Sequence, residues 1–305
     1  MPVYHRGETA VQQRAGLAAQ AEFSRGGIGR TVPEVAAAFL AEQPMIIVGG
    51  TDAGGRVWAT QLTGAPGFLR VPAPDVLTIA ALPHQDDPLA PLLRRAAAPV
   101  QVGMIAIEPA TRRRMRLNGR ARAAGDGLRV DLDQVIANCP KYLQKRTGRL
   151  AGEEGVATAP TVRDGTSLTR RQQESLSRAD TFYVATGDDL GAMDASHRGG
   201  NPGFVQVLSP TLLRWPDYTG NAMFLTLGNL LLNPAAGLLF PHGQDGTLLH
   251  LSGTAHTVWE TEEVERVPGA QRLIEFSVDA VREVEGASAL RWGEPAYSRF
   301  NPPVR

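Results

Sequence analysis

The sequence predicts a mainly β chain of the α+β class in which one barrel-like unit occurs twice. Three observations carry that prediction: a motif repeated at fixed spacing, a composition rich in turn formers, and no alternation of strand with helix. The segment Trp58-Ala-Thr-Gln-Leu-Thr-Gly-Ala-Pro-Gly-Phe-Leu69 lies over Asp194-Ala-Ser-His-Arg-Gly-Gly-Asn-Pro-Gly-Phe-Val205 at an offset of 136, matching Pro66 to Pro202, Gly67 to Gly203 and Phe68 to Phe204. The same offset sets Ile46-Ile-Val48 on Phe182-Tyr-Val184 and Asp52 on Asp188. Downstream it drops to 134, with Gly103-Met-Ile-Ala-Ile107 facing Gly237-Leu-Leu-Phe-Pro241 and Leu117-Asn-Gly-Arg-Ala121 facing Leu251-Ser-Gly-Thr-Ala255, as a two-residue loop deletion would produce. Gly 33 and Pro 22 in 305 residues favour short elements joined by tight turns.

Residues 1–30 form a helical extension, with a helix over Thr9 to Glu22 and a flexible Ser-Arg-Gly-Gly-Ile-Gly-Arg stretch after it. The first unit spans 31–150. It opens with a capping-box pattern, Thr31-Val-Pro-Glu34, before a helix from Pro33 to Glu42. Alternating or β-branched runs then predict strands at Met45 to Val48, Val57 to Leu62, Val76 to Ala80, Val102 to Glu108, Arg114 to Ala123 and Leu128 to Val135. Residues 151–166, rich in Gly, Ala, Thr and charge without a period, read as a linker. The second unit, 167–290, repeats the plan: a capping box at Thr169-Arg-Arg-Gln172, a helix to Arg178, and strands at Thr181 to Ala185, Gly203 to Leu208, Leu238 to Phe240, Leu248 to Val258 and Leu273 to Val284. Asp126-Gly127, Asp245-Gly246 and Gly54-Gly55 sit between runs as hairpin turns, and 291–305 is a tail.

Lys+Arg 31 against Asp+Glu 31 leaves no net pull toward nucleic acid or an anionic membrane, and 6% aromatic content argues the same way. One cysteine, Cys139, excludes an intrachain disulfide framework and fits a reducing compartment. In Asn-Cys-Pro-Lys it reads as a buried structural thiol rather than one activated by Lys141. No apolar signal run opens the chain, and the stretch Leu225 to Phe240 is broken by Gly228, Asn229, Asn233 and Pro234, so the expectation is a cytoplasmic protein without a membrane span. His242, His250 and His256 match no compact metal-ligand spacing. Gly26-Gly-Ile-Gly29 follows no strand and lacks the full dinucleotide fingerprint.

Positions polar in only one copy are candidates for a specialised site. The second copy carries Ser196-His-Arg-Gly-Gly-Asn201 where the first has Thr60-Gln-Leu-Thr-Gly-Ala65, and Asp217 to Asn229 where the first has a plainer stretch. The first copy carries Arg112-Arg-Arg-Met-Arg116 and Asn118 where the second has neutral Gly246 to His250 and Ser252. These are complementary, as expected of one composite site between unlike halves. Arg, Gly, Ser and Asn together suit an anion, through a planar donor fork, close backbone approach and neutral hydrogen bonds. The competing reading is a Gly-rich surface turn with a solvated Arg. Asn221, Thr226 and Asn229 read equally as ligand contacts or as parts of a capped helix. Alternation puts Arg112, Arg114 and Arg116 on one strand face, for which a surface ion-pair face competes with a nucleic-acid contact.

The Asn-Pro-Gly-Phe strand, the Gly-Asn turn and the Asn-Pro-x-x-Gly-Leu-Leu-Phe strand resemble the pyridoxamine 5′-phosphate oxidase-like, flavin-nucleotide-binding split-barrel superfamily. Tyr4-His-Arg-Gly-Glu8, Thr111-Arg-Arg-Arg114, Asn138-Cys-Pro-Lys-Tyr142, Asp180-Thr-Phe182, Ser196 to Phe204 and Thr226-Leu-Gly-Asn229 look like a branch of predicted flavin-nucleotide-binding proteins. The resemblance implies tandem duplicated FMN-binding split β-barrels, an intrachain pseudo-dimer in place of the family's homodimer, with FMN in the groove between halves. It implies that Ser196, Arg198, Gly199 and Asn221 take the phosphate end with Thr226 close by, that His197 approaches the ribityl chain or ring edge and is the titratable candidate, and that the other half adds Arg114, Arg116 or Asn118, with Lys141 and Tyr142. The Arg-x-Val-x-x-Lys and Ser-Arg-Lys motifs of true pyridoxamine phosphate oxidases are missing, which argues against a vitamin B6 substrate. The expected function is that of an FMN-dependent oxidoreductase acting on a small-molecule substrate, as a monomer or a homodimer. The alternatives are a flavin-binding relay served by an electron-donor protein, or the same fold holding a deazaflavin or haem.

Overall fold

The computed structural model describes residues 3–95, 98–137, 140–151 and 160–304. Cys139 therefore lies outside the described residues, as does half of the expected linker, 152–159. Two helices open the chain, α1 (Arg6–Arg14) and α2 (Ala18–Arg25), separated at Gly16, whose φ of +68° ends the single helix expected there. The first half then runs β1 (Ile28–Gly29), α3 (Glu34–Glu42), β2 (Met45–Thr51), β3 (Val57–Thr63), β4 (Leu69–Ala73), β5 (Val76–Ile79), α4 (Ala90–Leu93), β6 (Val100–Glu108), β7 (Arg113–Ala124), β8 (Gly127–Ala137) and β9 (Gly148–Leu150). The second runs β10 (Val162–Gly165), α5 (Arg170–Ser177), β11 (Thr181–Gly187), β12 (Met193–Gly199), β13 (Gln206–Ser209), β14 (Leu212–Tyr218), α6 (Leu225–Leu232), β15 (Ala235–Pro241), β16 (Leu248–Val258), α7 (Thr261–Glu265), β17 (Ala270–Val284) and β18 (Leu290–Trp292).

Both halves are antiparallel sheets of one topology. The first has the order β3-β2-β6-β7-β8-β5-β4 and the second β12-β11-β15-β16-β17-β14-β13. Residue registers repeat as well as strand order. Val48 pairs with Thr60 as Val184 does with Ser196, and Met104 pairs with Leu117 as Leu238 does with Leu251, which reproduces both sequence offsets. A bulge falls after Asn118 in one sheet and after Ser252 in the other. The shared Pro-Gly-Phe turn has a physical cause: Gly67 and Gly203 each sit at φ +93°, a conformation that a side chain resists. The tandem duplicated split-barrel class is therefore written in the chain's own pairing.

Each half buries its own core. One holds Leu40, Ile46, Val48, Leu77, Met104 and Leu117, and the other Phe182, Leu213, Trp215, Leu238, Leu251 and Phe276. A third cluster, with Ile47, Ile105, Tyr183, Ala185 and Leu239, joins the two. At its centre Gly49 faces Ala185, the residues that correspond to one another in the two copies, so the halves meet about a local pseudo-twofold axis.

Three details differ from the sequence expectation. Thr169 and Gln172 form the expected capping box, but α3 starts from Pro33 as N-cap without a side-chain bond, because Thr31 stands two residues too early. The end of the linker is β10, paired with β17, and the tail begins within β18, which pairs with β9. Ser196 to Gly199, one reading of which was a surface turn, belongs to β12 and is largely buried.

Helix α1 packs onto α6 through Gly7 and Gly228, with Glu8 buried between them. Burial, reinforced by Asp194 and Asp188, pushes the Glu8 carboxyl up to about 8 against the hydrogen bond from the His5 amide. A raised carboxyl favours the fold while protonated, so its contribution is complete below pH about 4.5 and fades as pH climbs through 8. Glu8→Gln, which mimics the protonated form, is expected to melt higher than the native chain at pH 9 and equally at pH 4, read by thermal denaturation across pH.

Candidate functional site

The candidate site lies at the seam where β12 of the second half crosses β6 and β7 of the first. A Cβ on Gly103 would stand 2.4 Å from the backbone of Asp194, so only glycine admits β12 this closely. That approach brings β7 side chains onto β12. Arg116 donates to both oxygens of Asp194 (2.9 and 3.2 Å) and to Ser196 Oγ at 2.7 Å. Arg198 donates to the same Ser196 Oγ at 2.5 Å. Arg114 Nη1 lies 3.2 Å from His197 Nδ1. Asn118 stands behind, donating to Asp194 and Gln134 at 3.3 and 2.9 Å, and Thr226 reaches Asp194 at 3.5 Å.

These groups open onto a cavity of about 230 Å³. Ser196, His197, Arg198, Gly199, Asn221, Thr226, Arg114, Arg116, Lys141 and Tyr142 all line it; Asn118 does not, and acts from behind through Asp194. The wall carries five cations, Arg114, Arg116, Lys141, Arg198 and Arg272, against one carboxylate, Asp217. In a chain of zero net charge this is a concentrated positive field.

Several of its donors are unspent. Among the described residues Arg116 Nε, Arg198 Nε and Arg272 Nη1 are buried without a hydrogen-bond partner, and Arg272 Nε has only a long ion-pair contact, 3.5 Å from Asp217 Oδ2. Such groups cost about 1–3 kcal/mol each when left unmade, more when charged, and an anion in the cavity would satisfy them. Burial pulls the Arg198 and Arg272 guanidinium groups down and pushes the Asp217 carboxyl up, while Arg272 and Arg198 oppose the latter. Arg272 was not foreseen from sequence. It lies in β17 opposite Asp217, 4.8 Å from the Phe224 ring and 5.2 Å from that of Trp259, which hold its fork in place. The signal was available: Arg272 continues inward the alternation of Ile274, Phe276 and Val278, a charge on a buried face.

The start of α6 adds backbone donors. Its N-cap, Phe224, has φ +58° and no side-chain cap, so the first-turn N–H groups remain open toward the cavity lined by Phe224 to Leu227. Ala222 and Tyr142, also in the wall, have φ +61° and +62°. Each such residue costs about 1–3 kcal/mol and persists only where its surroundings hold it. The N-terminal extension does that for Ala222, where Ser24 Oγ donates to Asn221 O at 2.6 Å and Gln12 Nε2 to Met223 O at 3.1 Å, and Gln144 Nε2 donates to Tyr142 O at 3.2 Å. Asn221 spends its own side-chain oxygen on the Met223 amide at 3.1 Å.

Burial, then Arg114, Arg198 and Arg146, hold the His197 imidazole well below the usual range, which favours the neutral ring. Since Arg114 only donates, Nδ1 accepts and the ring proton belongs on Nε2. A second cavity of about 540 Å³, lined by Arg146, Tyr183, Phe240 and Trp292, lies on the other side, and His197 is the residue common to both walls.

The remaining sequence candidates have structural roles. His250 lies inside the other seam, His256 pairs with Glu275 at 3.3 Å, and His242 sits 2.5 Å from Ser175; among the described residues no three metal-ligating side chains cluster. Arg112 turns away, donating to Leu143 O at 2.7 Å, and Arg113 pairs with Glu108 at 2.7 Å, so neither joins Arg114 and Arg116. No described helix is long and apolar enough to cross a membrane.

No family model matches the chain, and no curated protein matches it. Solved structures do. HupZ of Group A Streptococcus is 15% identical, over 37% of this chain and 90% of its own, with a TM-score of 0.31. An FAD binding protein from Mycobacterium smegmatis is 12% identical over 40% and 99%, at 0.30. A Clostridium acetobutylicum protein of the pyridoxinephosphate oxidase family, related to general stress protein 26, is 13% identical over 41% and 92%, at 0.28. Each match covers about as much of this chain as one of its halves, and the duplication itself rests on the strand registers above.

Proposed function

We propose that the seam cavity binds FMN and that the protein is a flavin-dependent oxidoreductase. The observation that carries this reading is the set of buried guanidinium N–H groups left without partners in a cavity to which both halves contribute. A phosphate monoester is the anion that such planar forks suit best. Arg198, Ser196 and the open amides of α6 hold the phosphate, and Arg116 is aligned for it by Asp194. Arg272, clamped between two rings, fixes the far wall. The rings of Tyr142 and Tyr218, 5.0 Å apart, give the cavity an aromatic side, and the His197 Nε2–H is a neutral donor for a ring or ribityl oxygen. A bound flavin would supply hydride or electron transfer, and the chain's part is to hold it, exclude water and aim donors at it.

The test is the absorbance spectrum of the purified protein before and after denaturation, with mass identification of what is released. Release of FMN is expected. A colourless protein that also fails to take up added FMN would overturn the reading, and a different mass would replace FMN by that cofactor. Reduction of the bound flavin by a pyridine nucleotide alone would distinguish an enzyme acting on a small substrate from a relay that needs a donor protein.

A further inference from the structure

We infer that each chain carries one ligand site and not two, because the pseudo-twofold mate of the seam cavity is sealed by the protein's own Asp87 carboxyl group. The inference rests on the proposed flavin site. The offsets fixed by strand register place Trp58, Thr60, Gln61 and Leu62 where the open seam has Asp194, Ser196, His197 and Arg198, and Leu248, His250 and Ser252 where it has Arg114, Arg116 and Asn118. The backbone geometry at the two seams is the same: a Cβ on Gly237 would meet Trp58 at 2.6 Å, as one on Gly103 would meet Asp194 at 2.4 Å.

The chemistry differs. Asp87, from the loop ahead of α4, enters the second seam and is 3% exposed. Its Oδ2 accepts a hydrogen bond from Thr60 Oγ1 and stands 3.8 Å from His250 Nε2, while Oδ1 accepts from the Leu89 amide at 2.8 Å. Thr60 and His250 are the counterparts of Ser196 and Arg116. An internal carboxyl group therefore occupies, in the second seam, the place that the first seam offers to an external anion. His250 Nδ1 is turned to Ala59 O at 2.9 Å, and Gln61, the counterpart of His197, accepts from Ser288 Oγ at 2.6 Å. Leu89 and Leu93 pack behind with no exposure. The arginines that would bind a second phosphate are replaced by Leu62, Leu248 and a buried imidazole.

The measurement is flavin released per chain on denaturing protein saturated with FMN, for the native chain and for Thr60→Val, with circular dichroism to verify folding. One flavin per chain in both supports the inference. Two per chain, or loss of flavin from a natively folded Thr60→Val, overturns it, whereas zero in the native chain overturns the flavin reading itself. The native stoichiometry decides the matter even if the variant fails to fold.

Discussion

Arg198→Ala is expected to release most of the bound flavin while the circular dichroism spectrum stays native. Arg198 is on a strand fixed by pairing with β11, and among the described residues its guanidinium donates only to Ser196 Oγ and the His197 carbonyl, so little of the fold depends on it. Its Nε is buried without a partner. A hydrogen bond to a charged group is worth about 1.5–3 kcal/mol, so removing one should weaken binding by roughly 10- to 150-fold. Arg198→Lys should fall between, since an ammonium keeps the charge and loses the fork. Unchanged flavin content in a folded Arg198→Ala protein would place the phosphate elsewhere.

The duplication was legible in sequence because turn chemistry is local. Pro-Gly-Phe must keep glycine where φ is +93°, whatever surrounds it, and so survives in both copies. The composite site was legible for a related reason: two copies of one fold supply each other's background, against which Ser196 to Asn201 and Arg114 to Asn118 stand out. What was missed depends on distant parts of the chain. Met193 to Gly199 has weak strand propensity and becomes β12 through pairing with β11 and through the space that Gly103 leaves. The pairing of Gly148–Leu150 with Leu290–Trp292 joins three-residue strands from the C-terminal ends of the two halves, far apart in sequence and too short to show a period. Arg272 stands one residue before the strand expected from Leu273 to Val284, and only the observed extension of β17 back to Ala270 puts it on a buried face. Asp87 carried no local signal, since its role exists only against Thr60 and His250.

Gly103→Ala and Gly237→Ala are expected to destabilise the chain alike and to differ in their effect on the ligand. The atoms each new methyl would meet are backbone, Asp194 Cα at 2.4 Å and Trp58 Cα at 2.6 Å, so no rotamer change relieves the clash and a strand must move. Overpacking of this kind costs about 1–3 kcal/mol, which in a chain of this size lowers the melting temperature by several degrees. At Gly103 the displaced strand carries Asp194, which aligns Arg116 and Asn118, so flavin affinity should fall along with stability. At Gly237 the displaced strand carries Thr60 in the sealed seam, and the affinity of the protein that remains folded should match the native value. Thermal denaturation and flavin titration of the two variants separate the effects. Equal losses of affinity would mean that both seams serve one ligand, and a native melting temperature for Gly103→Ala would mean that the halves do not meet through that contact.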